Sequence, residues 1–402
     1  MYIIELMDKT NFSLRKKYLS QYFTPTDIAN VLASQLQNAP NELLELGAGR
    51  GSLISAVLDR YPNSRATMVE LDSMLLSDLK KFGKQHSVHH ANVLTGLDEV
   101  PLLKSYSAVV GNPPFSELAV AENQQGLLRS QFPQSVRGGL IRQDLVFLYE
   151  SWKRVKPGGE LVMLLAAPIL NDPAFKSVRQ WILSDAKSVK VIELPENSFV
   201  GAEVGTYLLA IKHRGRGACA KAVQIDRFNG DGKFQGENEV SIKDAIERMD
   251  YRFYTLKALA GLQWNSSEVL SSLSPQIVRG SRSHAQFVRE ETPHVHTTDF
   301  LYATERMRLA CYTPADIHNA EAGDILLPRV GSRCLIREAL VLSGSLPISD
   351  TVFRIRVRKK DRHRLLYSLS NESGRLWRDA HARGSCARHI TIRDLMSLPI
   401  TH

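Results

Sequence analysis

Asn112, Pro113, Pro114 and Phe115 are the residues whose types and spacing best suit chemistry, and they directly follow an apolar run at 108–111. Proline has no backbone N–H and pushes the preceding residue into an extended conformation, so a stiff, non-helical turn is predicted. The turn presents the side-chain carbonyl of Asn112, the main-chain carbonyl of Pro113 and an aromatic ring. Two acceptors beside a flat ring suit a planar substrate with an amino group. A plain strand-ending turn is the alternative, since Asn and Pro favour that too.

A glycine-rich loop offers a second place for a ligand. The segment ELLELGAGRG predicts a strand that runs into Gly47 and Gly49, with Glu45 just before them, and the next strand ends in Glu70. Glycines allow close approach to the backbone, and a carboxylate at the end of the second strand can accept hydrogen bonds from ribose hydroxyls. The loop lacks the third glycine of a dinucleotide fingerprint, because Ser52 stands there. S-adenosylmethionine fits better, since acids such as Glu45 suit its cationic sulfonium or the adjacent amino group.

The elements that must position these residues alternate between strand and helix patterns. Strands are predicted in the segments ELLEL, ATMVELD, SVHHANV, YSAVVGN, ELVMLLAAP, VKVIEL and GTYLLAIKH. Helices are predicted from Ser52 to Leu58, from about Ser73 to Phe82, in DLVFLYESWKRV, and after the N-cap residue Asp172. This alternation predicts an α/β fold, a Rossmann-like, mostly parallel sheet with helices on both faces. Ligands bind beyond the carboxyl ends of such strands, which is where the glycine loop and Asn112 lie.

Length and composition indicate an ordinary globular protein of two domains. The chain has 402 residues, of which 43% are hydrophobic and 23% charged, and this length exceeds the usual single domain. The longest apolar run, 161–170, is too short to cross a bilayer, and the N-terminus carries acids instead of a basic leader. We therefore expect a cytoplasmic protein with no membrane partner. The four cysteines are far apart, which predicts neither a disulfide framework nor a metal site.

The positive charge is concentrated in the C-terminal half. Residues 1–213 carry 22 Lys and Arg against 21 Asp and Glu, whereas residues 214–402 carry 29 against 21. After Asp250 the excess is almost wholly arginine, the preferred side chain for bidentate contacts with phosphates and guanine edges. The asymmetry favours a nucleic-acid-binding domain joined to a near-neutral one, although basic runs are often simply solvated surface. Arginines selected from these runs as candidate DNA-binding residues are Arg329, Arg333, Arg378, Arg383 and Arg388.

The order of the motifs resembles that of gamma-type DNA adenine-N6 methyltransferases. The matching segments are QYFTPTDIANVLA, LLELGAGRGSL, VELD, GNPPF, KPGGELVMLLAAP and NSFVGAEVGTYLLAIK. In that family the cofactor motifs precede the NPPY/F motif, and a target-recognition domain comes last. The C-terminal segments AGDILLPRVGS, LPISDTVFRIRV and HITIRDLMSLPI resemble, more loosely, such recognition domains and those of type I specificity subunits. The resemblance implies a methyltransferase domain at 1–213 and an α+β DNA target-recognition domain at 246–402, and the composition between them, rich in glycine and charge, predicts a linker at 214–245.

The resemblance also implies roles for individual residues. The residues implied to bind S-adenosylmethionine are Tyr22, Phe23, Thr24, Pro25, Glu45, Gly47, Gly49, Glu70 and Asn92. Asn92 stands where the family often has Asp, but its carbonyl can still accept a hydrogen bond from the cofactor's adenine amine. The implied catalytic residues are Asn112, Pro113, Pro114 and Phe115. The target base is implied to stack on Phe115 and Phe199.

The implied reaction is methyl transfer to N6 of an adenine flipped out of double-stranded DNA. The two carbonyls of the turn can each accept an N6 hydrogen, so the nitrogen becomes pyramidal as it bonds to the methyl group. An N-methyltransferase acting on RNA or on a protein glutamine could use the same turn. A non-catalytic DNA-binding subunit is a further alternative. The sequence does not decide whether a cognate restriction endonuclease is a partner. The polar segment 116–139 lacks clear periodicity and predicts a mobile loop.

Overall fold

The computed structural model describes residues 23–401 except 120–121, 137, 196–197, 200–204, 231–232, 313–317, 332–334 and 385–386. The chain divides into two compact units, Met1–Tyr251 and Arg252–His402. The predicted cofactor residue Tyr22 and the predicted DNA-binding residue Arg333 lie outside the described residues.

The first unit is built on a large sheet. Its helices and strands are α1 (Thr26–Ser34), β1 (Glu42–Leu46), α2 (Ser52–Arg60), β2 (Arg65–Glu70), α3 (Leu76–Lys80), β3 (Ser87–His90), β4 (Tyr106–Gly111), β5 (Glu117–Ala119), α4 (Glu122–Gln131), β6 (Leu140–Arg142), α5 (Gln143–Trp152), β7 (Val155–Ala166), α6 (Ala167–Asn171), α7 (Lys176–Ser184), β8 (Ala186–Glu193), β9 (Thr206–His213), β10 (Ala222–Phe228), β11 (Phe234–Ser241) and α8 (Ile242–Glu247). Among the described residues, nine strands lie in the order β11-β10-β8-β9-β7-β4-β1-β2-β3.

The sheet is mostly parallel on the side that carries the predicted site. Strand β1 pairs in parallel with β2 and β4, β2 pairs with β3, and β4 pairs with β7. Strand β9 runs antiparallel between β7 and β8. The strands are apolar because both faces of the sheet are covered, and Leu43, Val109 and Leu164 are completely buried. The predicted α/β fold class is confirmed.

The strand register brings the two predicted ligand segments to one edge. Glu45 in β1 lies opposite Val110 in β4 and Met68 in β2. The glycine loop that follows β1 and the Asn112 turn that follows β4 therefore leave the sheet side by side. Glu70 ends β2 at the same edge. This is the place where parallel sheets bind ligands.

The segment predicted as a linker, 214–245, is instead part of the first unit. Strand β10 within it pairs in parallel with β8 and antiparallel with β11, so both strands extend the main sheet. The boundary between the units lies after Tyr251. Composition misleads here because the described glycines and most of the described charged residues lie in the turns and in β11, which is the edge strand of the sheet, and edge strands often carry charge.

The polar segment predicted as a loop, 116–139, also contains regular structure. Strands β5 and β6 pair antiparallel, and α4 lies between them. The helix is hard to predict because it buries little. Leu128 is completely buried and Gln124 is 6% exposed, while Leu127 remains 40% exposed. The mobility of the segment stays a prediction.

The second unit has α+β character. Its elements are α9 (Tyr251–Ala260), which begins at the boundary, β12 (Gln276–Arg279), α10 (His284–Arg289), β13 (Thr304–Cys311), β14 (Asn319–Glu321), β15 (Ile325–Pro328), β16 (Glu338–Pro347), β17 (Val352–Arg356), α11 (Lys359–Ser370), α12 (Glu372–His381) and α13 (Ile392–Met396). The strands lie in the order β12-β17-β15-β16-β13, with β14 beside β16. One apolar core joins β15 and β17 to α11 and α12, and a second includes Leu326 and Val341. No helix in the described parts of either unit could span a bilayer.

Candidate active site at the ends of β1, β2 and β4

A cleft lies beyond the carboxyl ends of β1, β2 and β4. The residues predicted from sequence that line it are Phe23, Gly47, Gly49, Glu70, Asn92, Asn112, Pro113, Pro114 and Phe115. The structure thus brings both the glycine loop and the Pro-Pro turn to one cleft, although they are more than 60 positions apart in the chain.

The side chain of Asn112 is oriented by Thr24. The Nδ2 of Asn112 donates a hydrogen bond to the Oγ1 of Thr24 over 2.9 Å, and Thr24 is 9% exposed. With Nδ2 turned toward Thr24, the carbonyl oxygen Oδ1 points the other way. Thr24 belongs to the segment predicted to cover the cofactor, so the same segment also positions the predicted catalytic amide.

Glu70 holds the glycine loop as well as ending β2. Its carboxylate accepts hydrogen bonds from the backbone N–H groups of Gly49 and Asp72, each over 2.7 Å. Burial raises the pKa of Glu70, and these two backbone bonds oppose that rise. A carboxylate has about four acceptor positions, so these bonds leave capacity to accept from a ribose hydroxyl.

Glu45 is a buried carboxyl that lacks full hydrogen bonding. The residue is 2% exposed, and within the described part of the chain its Oε2 has no hydrogen-bond partner. Burial raises the pKa of Glu45 well above its usual range, and the nearby charge of Glu70 raises it further. Since an unpaired buried carboxylate is costly, a cationic or donor group placed beside it would be stabilised.

The glycines of the loop have separable roles. Gly47 and Gly49 have φ angles of +73° and +55°, a region that L side chains rarely adopt. A Cβ atom at Gly47 would come within 3.0 Å of the Phe147 ring in α5, and one at Gly51 within 2.6 Å of the Phe82 ring. Gly51 is therefore required for packing, whereas Gly47 and Gly49 line the cleft. This glycine cradle fits S-adenosylmethionine, whereas the predicted cofactor residue Glu45 lies buried in β1 and is not among the described residues that line the cleft.

Asn92 caps a short helical turn in addition to lining the cleft. Its Oδ1 accepts a hydrogen bond from the backbone N–H of Leu94 over 3.0 Å. A carbonyl oxygen has two lone pairs, so this capping bond leaves one acceptor position. The predicted contact with the cofactor's adenine amine stays a prediction.

The two other described residues of the N-terminal motif lie beside the glycine loop and α1. The ring of Phe23 lines the cleft, and the guanidinium of Arg50 lies 4.8 Å from its centroid. Pro25 precedes α1, where its carbonyl accepts a hydrogen bond from the backbone N–H of Ala29 over 2.9 Å. Phe23 is therefore placed to contact a ligand, while Pro25 starts a helix.

The two predicted base-stacking residues differ in their surroundings. Phe115 lines the cleft and is partly exposed, whereas Phe199 is 4% exposed and packs in the hydrophobic core with Ile192 and Leu208. Phe199 does not line the cleft in the described structure. The sequence alone cannot distinguish a phenylalanine in the core from one in a pocket wall. For Phe199 the structure shows core packing.

Sequence reasoning missed two residues of α5 that line the cleft. Gln143 and Phe147 both line it. Phe147 lies in the segment DLVFLYESWKRV, which the sequence identifies only as a helix, and Gln143 directly precedes that segment. Phe147 is 6% exposed and looks like an ordinary core residue from its spacing. The close approach of Gly47 to its ring is the contact that links α5 to the loop, and no local pattern encodes it.

Arg378 was predicted to bind DNA, and the structure contradicts this. It is 1% exposed. Its guanidinium pairs with Glu338, which is completely buried, and donates hydrogen bonds to four main-chain carbonyls, those of Leu335, Ile336, Arg337 and Leu369. Arg378 therefore joins α12 to β16 inside the second unit. A run of arginines cannot show which member is buried.

The other described candidate arginines are half-buried and paired. The guanidinium groups of Arg383 and Arg388 form ion pairs with Asp394 and Asp379, over 3.2 and 2.6 Å. Arg329 donates from Nε to the carbonyl of Asp350 over 3.1 Å, and burial lowers its pKa. Direct contacts with DNA from these three residues stay predictions, since each must first give up a partner.

The histidines His294 and His296 of the second unit form a cluster with His284. The rings of His284 and His296 stack with centroids 4.2 Å apart, and a nitrogen of His284 lies 2.8 Å from one of His294. No group of three or more ligating side chains suited to a metal ion occurs among the described residues.

Comparisons with known proteins agree with a methyltransferase. The family model described as "Methyltransferase small domain" matches residues 26–130, which include the glycine loop and the Asn112 turn. The type II methyltransferase M.BsuBI of Bacillus subtilis is 26% identical over 238 residues, covering 50% of this chain and 46% of that protein. The family match and this relative support a methyltransferase with S-adenosylmethionine as the methyl donor.

Two further relatives are named for different activities. A release factor glutamine methyltransferase of Koribacter versatilis is 22% identical, covering 38% of this chain and 57% of that protein. A ribosomal RNA small subunit methyltransferase C of Pseudomonas fluorescens is 30% identical, covering 28% of this chain and 34% of that protein. The chain thus matches 46%, 57% and 34% of the lengths of these three curated relatives, which is about half of each protein or less than half.

Proposed function

We propose that this chain transfers a methyl group from S-adenosylmethionine to N6 of an adenine flipped out of double-stranded DNA. The observation that carries the proposal is the orientation of Asn112. Its Nδ2 is engaged by Thr24 over 2.9 Å, in a proline-stiffened turn that shares one cleft with Glu70 and the glycine loop. An acceptor oxygen is thereby fixed beside a cradle suited to the methyl donor.

The turn would activate a poor nucleophile. The N6 lone pair of adenine is delocalised into the ring, so the amine reacts only if the nitrogen becomes pyramidal. Oδ1 of Asn112 and the main-chain oxygen of Pro113 can each accept one N6 hydrogen. Positive charge grows on the nitrogen as its bond to carbon forms, so these fixed dipoles stabilise the transition state more than the ground state. S-adenosylmethionine, when bound, supplies the methyl group as a sulfonium and would depart as the neutral thioether, and the methylated nitrogen would then release its surplus proton.

An aromatic surface beside the turn would hold the flipped base. Extrusion of a base from a duplex costs a few kcal/mol, and stacking on an aromatic side chain returns about 1 to 3 kcal/mol per base. Phe115 lines the cleft next to the two acceptors, which supports its role as the stacking residue.

The second unit supplies exposed arginines that suit phosphate contacts. Arg306 and Arg308 lie on the exposed face of β13, the last strand of its sheet, while Met307 between them packs inward. Within the described parts of the unit, neither is seen paired with an acid. We infer that these residues, rather than the buried Arg378, contribute to the grip on the DNA backbone.

The relatives that methylate a release factor glutamine or ribosomal RNA define the alternatives. Both targets also present a planar amide or amine, so the turn alone does not separate the three substrates. The basic excess of residues 214–402 favours a nucleic acid over a protein. The type II relative supports DNA as the substrate and a restriction-modification setting, in which a cognate endonuclease would be the partner.

The proposal is tested by incubating the chain with S-adenosylmethionine and unmethylated plasmid, followed by single-molecule sequencing of the product. The expected result is N6-methyladenine at one recurring sequence motif, and loss of the signal with Asn112→Ala. Parallel reactions with ribosomal RNA and with a release factor measure the alternatives. Methylation of cytosine, or of either alternative substrate in preference to plasmid, would refute the proposal.

A further inference from the structure

A buried ion pair lies directly behind the Asn112 turn. The Nε and Nη2 atoms of Arg142 donate to the two carboxylate oxygens of Asp144 over 3.0 and 2.9 Å. The side chain of Arg142 is 10% exposed and that of Asp144 is completely buried. The same Nη2 also donates to the main-chain oxygen of Phe115 over 3.0 Å. The pair is therefore attached to the turn that carries the predicted catalytic residues.

The composition of the turn explains why it needs an external anchor. Neither Pro113 nor Pro114 has a backbone N–H, so neither can donate to a neighbouring segment. The turn is therefore held by hydrogen bonds from other groups, and one such hydrogen bond lies at each end of it. The side chain of Asn112 is bound by Thr24 at one end, and the carbonyl of Phe115 is bound by Arg142 at the other.

Asp144 keeps this anchor fixed to the main sheet. Burial raises the pKa of Asp144, and the adjacent Arg142 charge opposes that rise. Its Oδ2 also accepts a hydrogen bond from the backbone N–H of Ala166, the last residue of β7, over 3.4 Å. The guanidinium thus has one orientation, set by a carboxylate that is itself attached to the end of a central strand.

The segment from β5 to β6, which we call the insertion, leaves the turn and returns to it, and the residues at its two ends reinforce the same contact. The backbone N–H of Gln143 donates to the carbonyl of Ser116 over 3.0 Å, and its Nε2 donates to the Oγ of Ser116 over 2.6 Å. Arg142 also lies opposite Glu117 in the β5–β6 ladder. The insertion that leaves the turn at Phe115 therefore returns to it at Arg142, where the ion pair closes the structure.

We propose that Arg142 is a positioning residue for methyl transfer. Its guanidinium, oriented by Asp144, fixes the carbonyl of Phe115. The turn is thereby held in place, and the acceptor oxygens of Asn112 and Pro113 keep a constant position in the cleft. Arg142 does not touch the reacting nitrogen. The inference rests on the proposed function, because the consequence of positioning is measured as a rate of methyl transfer.

The molecule contains a matched control for this pair. Arg248 and Asp250 have the same spacing in sequence, are joined through the same two guanidinium nitrogens, and have side chains that are each 4% exposed. They do not line the cleft. Replacing either arginine removes a buried, bidentate partner from an aspartate, so the two variants carry comparable losses of stability. Only the Arg142 variant disturbs the turn.

The test compares Arg142→Met, Arg142→Lys and Arg248→Met with the unmodified chain, using single-turnover methylation of plasmid at saturating cofactor. A misplacement of about 1 Å typically costs about 100-fold in rate, so Arg142→Met should react about 100-fold more slowly per folded molecule. Lysine restores the charge but not the bidentate geometry, so Arg142→Lys should recover part of the rate. Cofactor affinity measured by calorimetry should be unchanged in both, and Arg248→Met should react at the unmodified rate.

A second readout does not depend on activity. Amide hydrogen exchange at Phe115 and Ser116 should be faster in Arg142→Met and Arg142→Lys than in the unmodified chain, and unchanged in Arg248→Met. Unaltered exchange at these amides, or an equal loss of rate in Arg248→Met, would overturn the positioning role. An unmodified chain that methylates nothing refutes the proposed function instead, and the exchange data then still decide whether Arg142 holds the turn.

Discussion

Replacement of Thr24 by valine tests whether the orientation of Asn112 matters for the rate. Valine has nearly the shape of threonine, so the buried site, 9% exposed in the native chain, remains filled. The substitution removes the Oγ1 atom that accepts the 2.9 Å hydrogen bond from the Nδ2 of Asn112. The amide then loses the contact that keeps Oδ1 directed away from Thr24.

The magnitude follows from the strength of that bond. A net intramolecular hydrogen bond contributes about 0.5 to 1.5 kcal/mol, and about 1.4 kcal/mol corresponds to a tenfold change in rate. Thr24→Val should therefore slow methyl transfer by about 2-fold to 10-fold. Removal of the acceptor itself in Asn112→Ala should cost more, about 3 to 4 kcal/mol by analogy with loss of an oxyanion-hole donor.

The assay is single-turnover methylation at saturating S-adenosylmethionine, because Thr24 also belongs to the segment predicted to contact the cofactor. Thr24→Ser is the control, since it retains the hydroxyl and loses only a methyl group. The reasoning is refuted if Thr24→Val reacts at the native rate, or if Thr24→Ser is as slow as Thr24→Val.

Three further predictions concern other residues. Glu45→Gln should raise the thermal unfolding midpoint at pH 8, because the raised pKa of Glu45 means that stability is lost as pH rises through it. The gain should vanish as the pH falls below about 4.5, the ordinary pKa of the group, while cofactor affinity measured by calorimetry should decrease at pH 8. Arg306→Ala combined with Arg308→Ala should weaken DNA binding equally for all sequences and reduce the slope of log affinity against log salt by about 2. An unchanged slope would exclude contacts with phosphates. Arg378→Met should destabilise the chain in urea unfolding by about 3 to 5 kcal/mol, because Glu338 is left buried and unpaired, whereas a value near zero would contradict its structural role.

The sequence was sufficient to predict strands β1 to β4 and β7 to β9 of the first unit because their signals are local. Each main strand is a short apolar run that ends at a turn residue, and Asp172 caps the turn before α7 through Ala174, as its spacing with Pro173 predicts. The strand order was not needed to place the site. Parallel strands end at one edge of the sheet, so Glu70 and Asn112 could be assigned to that edge from their positions alone.

The rest of the site depends on contacts between distant segments. Phe147 approaches Gly47, and Arg142 binds the carbonyl of Phe115, through packing that no spacing rule expresses. The same limit explains the error at Arg378. Its five hydrogen-bond acceptors come from two separate segments, residues 335–338 and Leu369, so its burial could not be deduced from a basic run.

The central claim is that two oxygens of one rigid turn bind the exocyclic nitrogen of the substrate. The most direct measurement is a crystal structure of the chain with a non-reactive cofactor analogue and an unmethylated duplex that contains the motif the chain recognises. The account predicts an extruded adenine whose N6 lies within about 3.2 Å of both Oδ1 of Asn112 and the main-chain oxygen of Pro113. An adenine that is bound in the cleft with N6 beyond hydrogen-bond distance of both oxygens would contradict it.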